Sequence, residues 1–183
     1  MVALLSLLST TAIGLAAIGP DTVFTGRELV TGKALSLAAR APKRGTVLVF
    51  LSSRCPCSAG HEKAVTDLYN EYAAKGFAFL GVHANANEPE AEARAHFERS
   101  KLPFQVVQDD GARLADELGA LKTPHAFVVA PGGELLFSGG VDEVRSGEAP
   151  KHHYLASALQ AVSQGKLPEP REVRTLGCKI ERP

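Results

Sequence analysis

The sequence predicts an α/β fold, a central mixed sheet with helices on both faces, and three observations carry that prediction. Residues 47–51 (VLVFL) and 77–82 (FAFLGV) are uncharged runs of strand length, the pattern of strands buried on both sides. Between them Val65, Leu68, Tyr69 and Tyr72 fall at i, i+3, i+4 and i+7, one apolar stripe of a helix, so the two strands pair in parallel through a right-handed crossover. Later in the chain two further strand-like runs, 126–130 and 134–138, flank Pro131-Gly132-Gly133, which makes an antiparallel hairpin.

In chain order, residues 1–20 are uncharged and mostly apolar; they read as the hydrophobic region of an export signal, with Gly14, Ala16 and Ala17 as small residues near a cleavage point but no basic leader. Ser6, Ser9, Thr10, Thr11 and Gly14 dilute the run too far for a retained membrane anchor, so no stable membrane insertion is expected. A short hairpin follows, VFTGREL and ALSL around Thr31-Gly32-Lys33, then a basic loop and the first core strand. The first helix is expected over 58–75 with Gly76 as its stop. After the second core strand Asn87 caps a helix that carries Pro89 in its first turn and Ala93 and Phe97 on its inner face. A short strand at 104–107, the Asp109-Asp110-Gly111 turn and a brief helix over 113–118 lead to the hairpin. A last helix presents Leu155, Ala158, Leu159 and Val162, and residues 166–183, with three prolines, should wrap the surface. The domain is therefore placed at 21–165, with 1–20 as a leader and 166–183 as a tail carrying Cys178.

Composition narrows the function. Twenty basic residues balance 20 acidic ones, without a basic block, so nucleic acid is not an expected partner. Three cysteines are too few for a disulfide scaffold and point to redox or metal work. Two of them, Cys55 and Cys57, flank Pro56 where the first core strand gives way to the first helix. Unpaired N–H groups and the helix dipole make a helix start electropositive, which favours a thiolate, and Arg54 adds to that. Cys55 is accordingly assigned as the nucleophile.

This order of elements, the Phe50-Leu51-Ser52-Ser53-Arg54-Cys55 strand end and Thr123-Pro124 ahead of the hairpin together resemble the thioredoxin-like fold. The resemblance is to its redoxin branch, which includes TlpA-type thiol-disulfide oxidoreductases and AhpC/TSA peroxiredoxin relatives. It implies exchange with protein thiols or disulfides and a reductase partner, without a cofactor. It further implies a cis Pro124 against Cys55, with the Thr123 backbone pairing a substrate or partner and His125 bordering the site to tune the thiolate. Disulfide chemistry would suit an exported protein in an oxidising compartment, and a cytoplasmic one follows if residues 1–20 are no signal.

The chain departs from the family pattern in ways that keep alternatives open. One residue, not two, separates Cys55 from Cys57, Ser58 stands where the second cysteine is usual, and there is no tryptophan. A Cys55–Cys57 bond requires Cys55 to keep non-helical geometry, because residues two apart in a helix point about 200° apart. Cys57 is the first candidate to resolve a mixed disulfide; Cys178 is a second resolving sulfur, a staple tying the tail to Cys57, or an idle thiol. A peroxide reductase with Cys55 as peroxidatic cysteine is the second enzymatic reading: Ser52 fits its pattern, but Leu48 stands where its proline belongs. A third reading is a copper- or zinc-binding protein using Cys55, Cys57 and His61, the last two being i and i+4 on one helix.

Overall fold

The structure is a computed structural model, and it describes residues 19, 21–39, 41–145 and 149–183. The leader expected over 1–20 lies almost wholly outside the described residues. No helix among the described residues is long and apolar enough to cross a membrane.

Seven strands form one mixed sheet in the order β2-β1-β5-β4-β3-β7-β8. β1 (Val23–Glu28) and β2 (Ala34–Ala38) are the early hairpin, and β1 joins β5 (Val106–Gln108) antiparallel. The centre is β3 (Gly45–Leu51), parallel to β4 (Phe77–His83) on one side and antiparallel to β7 (His125–Val129) on the other. β8 (Leu135–Gly139) closes the late hairpin against β7.

All seven residues of β3 are buried, and its period-2 alternation builds two cores. Val47, Val49 and Leu51 face one core with Val65 and Tyr72 of α1 (Pro56–Tyr72), Ala93 and Phe97 of α2 (Glu90–Ser100), and Leu155 and Leu159 of α4 (Tyr154–Ser163). Leu48 and Phe50 face the other with Leu80, Phe127 and, from α3 (Arg113–Leu118), Ala115 and Leu118. Helices therefore cover both faces. Two boundaries moved: α1 starts at Pro56, where a missing N–H costs nothing, and α2 is capped by Pro89 rather than Asn87.

The tail is the main correction to the sequence reading. It was expected to wrap the surface, yet Ile180 is completely buried in the second core. Upstream of it, Ser138 N–H donates to Arg171 O and Val173 N–H to Ser138 O, at 2.9 and 3.0 Å. A Cβ at Gly139 would collide with the Val173 side chain, so glycine lets the tail lie directly on the sheet edge. Downstream, Glu181 N–H donates to Asn85 Oδ1 at 3.1 Å, and Arg182 reaches Asp116 and the Ala120 carbonyl at 2.6 and 2.7 Å. Between these anchors β9 (Cys178–Lys179) pairs antiparallel with β6 (Lys122–Thr123), a second small sheet.

Ile180→Ala should lower the stability of the oxidised protein by about 2–5 kcal/mol, read as a drop in the urea midpoint at unchanged slope. Leu167→Ala, at a tail position 61% exposed, should change it by less than about 0.5 kcal/mol.

Candidate functional site

The site lies where β3 ends. Cys55 is the residue capping α1, with φ −82° and ψ 115°, extended rather than helical, and Pro56 opens the first turn. The 17-residue helix has no acidic residue in that turn, so no carboxylate of its own opposes the positive potential of its start beside the Cys55 sulfur.

The turn before the helix is held by a buried polar network. Ser52 Oγ accepts the Cys55 and Arg54 amides at 2.9 and 3.2 Å and donates to Glu88 Oε1, while Ser58 Oγ accepts the Ser52 amide at 3.0 Å. Glu88 Oε2 accepts the amide and hydroxyl of Ser53 at 2.7 and 2.6 Å and faces His83 Nε2 at 3.0 Å. Burial alone would raise the pKa of Glu88, but the bonds from His83, Ser52 and Ser53 outweigh it and pull it to about 2. Its contribution to stability is thus complete above about 4.5 and lost as pH falls toward 2. Sequence reasoning missed Glu88, which sits in a polar run whose burial only the tertiary packing reveals.

Opposite the helix start is the Thr123–Pro124 peptide, which is cis. Cys55 Sγ lies 3.2 Å from Thr123 O. Thr123 is paired in register with Cys178, and Cys178 is disulfide-bonded to Cys55 with a Cα–Cα separation of 5.9 Å. A Cβ at Gly177 would run into the Thr123 carbonyl, so glycine alone lets the tail backbone approach the cis-proline loop. Cys57 is free and buried, and the sulfurs of Cys55, Cys57 and Cys178 lie within 4.8 Å of one another.

The remaining sequence candidates point elsewhere. His61 is buried with Nδ1 2.6 Å from Cys57 O and Nε2 2.9 Å from Asp142 Oδ1. It does not join the sulfur cluster, whose three members are, among the described residues, the set that could hold a soft metal ion. Arg54 spends its guanidinium on Glu92, at 2.8 and 2.6 Å, and on Asn87 O, fastening the cysteine turn to α2. His125 follows the cis proline and is buried, its Nε2 3.2 Å from Ser138 Oγ. Desolvation lowers its pKa to about 4, so at neutral pH it lends the sulfurs no positive charge. The electropositive element beside the Cys55 sulfur is the helix start.

The chain is similar in sequence and in fold to known proteins. A family model described as Redoxin matches residues 19–153. The thiol-disulfide oxidoreductase ResA of Halalkalibacterium halodurans is 30% identical over 131 residues, 70% of this chain and 73% of that protein. An uncharacterized conserved protein of Geobacillus kaustophilus superposes with a TM-score of 0.81 at 20% identity, over 93% of this chain and 94% of the other. StoA of Bacillus subtilis gives a TM-score of 0.55 at 21% identity, over 64% of this chain and 87% of its own.

The depressed pKa of His125 has a signed consequence. The unfolded chain binds its proton below about 6.5 and the folded chain only below about 4, so stability must fall as pH drops between those values, by up to roughly 3 kcal/mol. The slope of stability against pH over that window should be shallower in His125→Asn than in the wild type, measured by urea denaturation at several pH values.

Proposed function

The chain belongs to the Redoxin family, and from that premise we propose that it is a thiol-disulfide oxidoreductase that exchanges with protein thiols or disulfides through the couple Cys55–Cys178. One observation carries this reading: the disulfide joins the residue capping α1 to a tail strand laid against the cis Thr123–Pro124 loop. Three requirements of exchange meet there. The helix start lowers the proton affinity of one sulfur, the second sulfur is held within bonding reach, and the bond can open without moving the core. One sulfur of the couple forms the mixed disulfide with the partner and the other resolves it. The buried Cys57 is a third thiol beside the couple.

The location proposed is an oxidising compartment outside the cytoplasm, reached through an export signal in residues 1–20, where a disulfide of this kind persists. A reductase or a dithiol protein is the partner that resets the couple. A peroxide reductase is disfavoured by Leu48 at the position of that group's proline.

A second reading is supported by the three sulfurs within 4.8 Å: once reduced, Cys55, Cys57 and Cys178 form a soft donor set for Cu(I) or zinc. It replaces the His61 ligand set, since His61 is engaged with Asp142. Titration of the reduced protein with Cu(I) against a chromophoric chelator tests it: Cys57→Ser should weaken binding, and identical affinities would dismiss the site.

The exchange reading is tested by dithiothreitol-driven reduction of insulin. Cys55→Ser and Cys178→Ser should each lower the rate by more than about a hundredfold, because neither covalent intermediate can then be completed. Full activity in Cys55→Ser, or rapid hydrogen peroxide turnover with a sulfenic acid on Cys55, would overturn it.

A further inference from the structure

Resting on that reading, we infer that the sulfur which meets the partner is Cys178, the tail cysteine, and that Cys55 at the helix start is the internal sulfur that leaves. Access and leaving-group chemistry point the same way.

Access differs between the two ends of the bond. Cys55 is 3% exposed, whereas Cys178 is partly exposed and followed by the exposed Lys179. The edge of Thr123 that would receive an extended partner backbone is already taken, Thr123 pairing with Cys178 and Lys122 with Lys179. The tail cannot simply peel off that edge: Ile180 is buried in the core immediately after it, and Val173 is bonded to β8 before it. The tail thus stands where a substrate strand would lie and offers its own cysteine outward.

The leaving group settles the polarity. Exchange is faster when the departing thiol is the more acidic one, and Cys55 departs at the start of α1 with no acidic neighbour in the first turn. Cys178 has no such helix. In the reductive half-reaction a partner thiolate bonds to Cys178 Sγ, the Cys55–Cys178 bond breaks, and Cys55 leaves with the electron pair as a thiolate. The partner's second thiolate then attacks its own first sulfur, the partner–Cys178 bond breaks, and Cys178 leaves as a thiolate that takes up a proton. The partner dithiol is oxidised and the protein disulfide reduced, two electrons passing in all.

The experiment needs only the wild-type full chain in its oxidised form and glutathione as the probe. After brief reaction, acid quench and alkylation, peptide mass spectrometry assigns each cysteine. The expected result is glutathione on Cys178 with Cys55 alkylated, exceeding the reverse adduct by at least about tenfold, and the same split in Cys57→Ser, where migration of the adduct through Cys57 is excluded. Glutathione on Cys55 or Cys57 as the main product would overturn the inference while leaving the exchange function standing. A bond that neither glutathione nor dithiothreitol opens would overturn both.

Discussion

The site depends on one short contact, the two-residue pairing of Lys122-Thr123 with Cys178-Lys179 beside the cis proline. Two residue pairs are far too few to hold a strand by themselves. What holds them is on either side: Val173 and Arg171 bonded to Ser138 before the pairing, and Ile180 in the core with Glu181 and Arg182 tied down after it. The glycines at 139 and 177 allow the approach, since side chains there would strike Val173 and the Thr123 carbonyl. Cys178 is in this way as firmly placed as a residue of the main sheet, although it belongs to an eighteen-residue tail with little regular structure of its own.

The electrostatics of the site are simpler than its charged surroundings suggest. Arg54 is neutralised by Glu92, His125 is kept uncharged by burial, and Glu88 is ionised but committed to Ser52, Ser53 and His83. None of these groups brings positive charge to the Cys55 sulfur, and the open start of α1 lies beside it. Glu88 is a positioning residue: through Ser52 it fixes the amide of Cys55, so the sulfur is aimed by a network anchored on β4 and the loop after it. A reactive group aimed by buried hydrogen bonds keeps its geometry while its own bonds are made and broken.

Much of this was legible in the residues. The β3-α1-β4 unit announced itself through two uncharged runs and one helical stripe, and the place of Cys55 followed from where the stripe began. The Thr123-Pro124 loop was legible through family resemblance. The tail was not, for a physical reason: Ile180 is a single apolar residue in a polar, proline-bearing segment, and no periodicity marks a lone anchor. The pairing of Cys55 with Cys178 stayed one of several because connectivity is a matter of distance in space, which spacing along the chain does not report. Glu88 was hidden among residues that look solvated, and nothing in the sequence marks Gly139 and Gly177 as places where the tail comes close to the sheet and the cis-proline loop.

Tail docking and disulfide share one free energy. The bond closes 123 residues of chain, and in an unfolded polypeptide such a closure is worth about 5 kcal/mol in the chain-entropy account. In the folded protein that closure has already been made by Ile180 and its neighbours, so forming the bond orders almost nothing further. By linkage, whatever the docked tail lends to the disulfide, the disulfide lends to the docked tail. If the Cys55–Cys178 bond exchanges as proposed, the anchors do more than hold a cysteine near its partner: they would set how readily the couple gives up or accepts electrons, at about 30 mV for each 1.4 kcal/mol by which they favour the bonded over the open form. A thioredoxin-like domain carrying its second sulfur on a strap would then have its redox poise adjusted by residues such as Ile180 and Arg182, far along the chain from the helix start that holds the first sulfur.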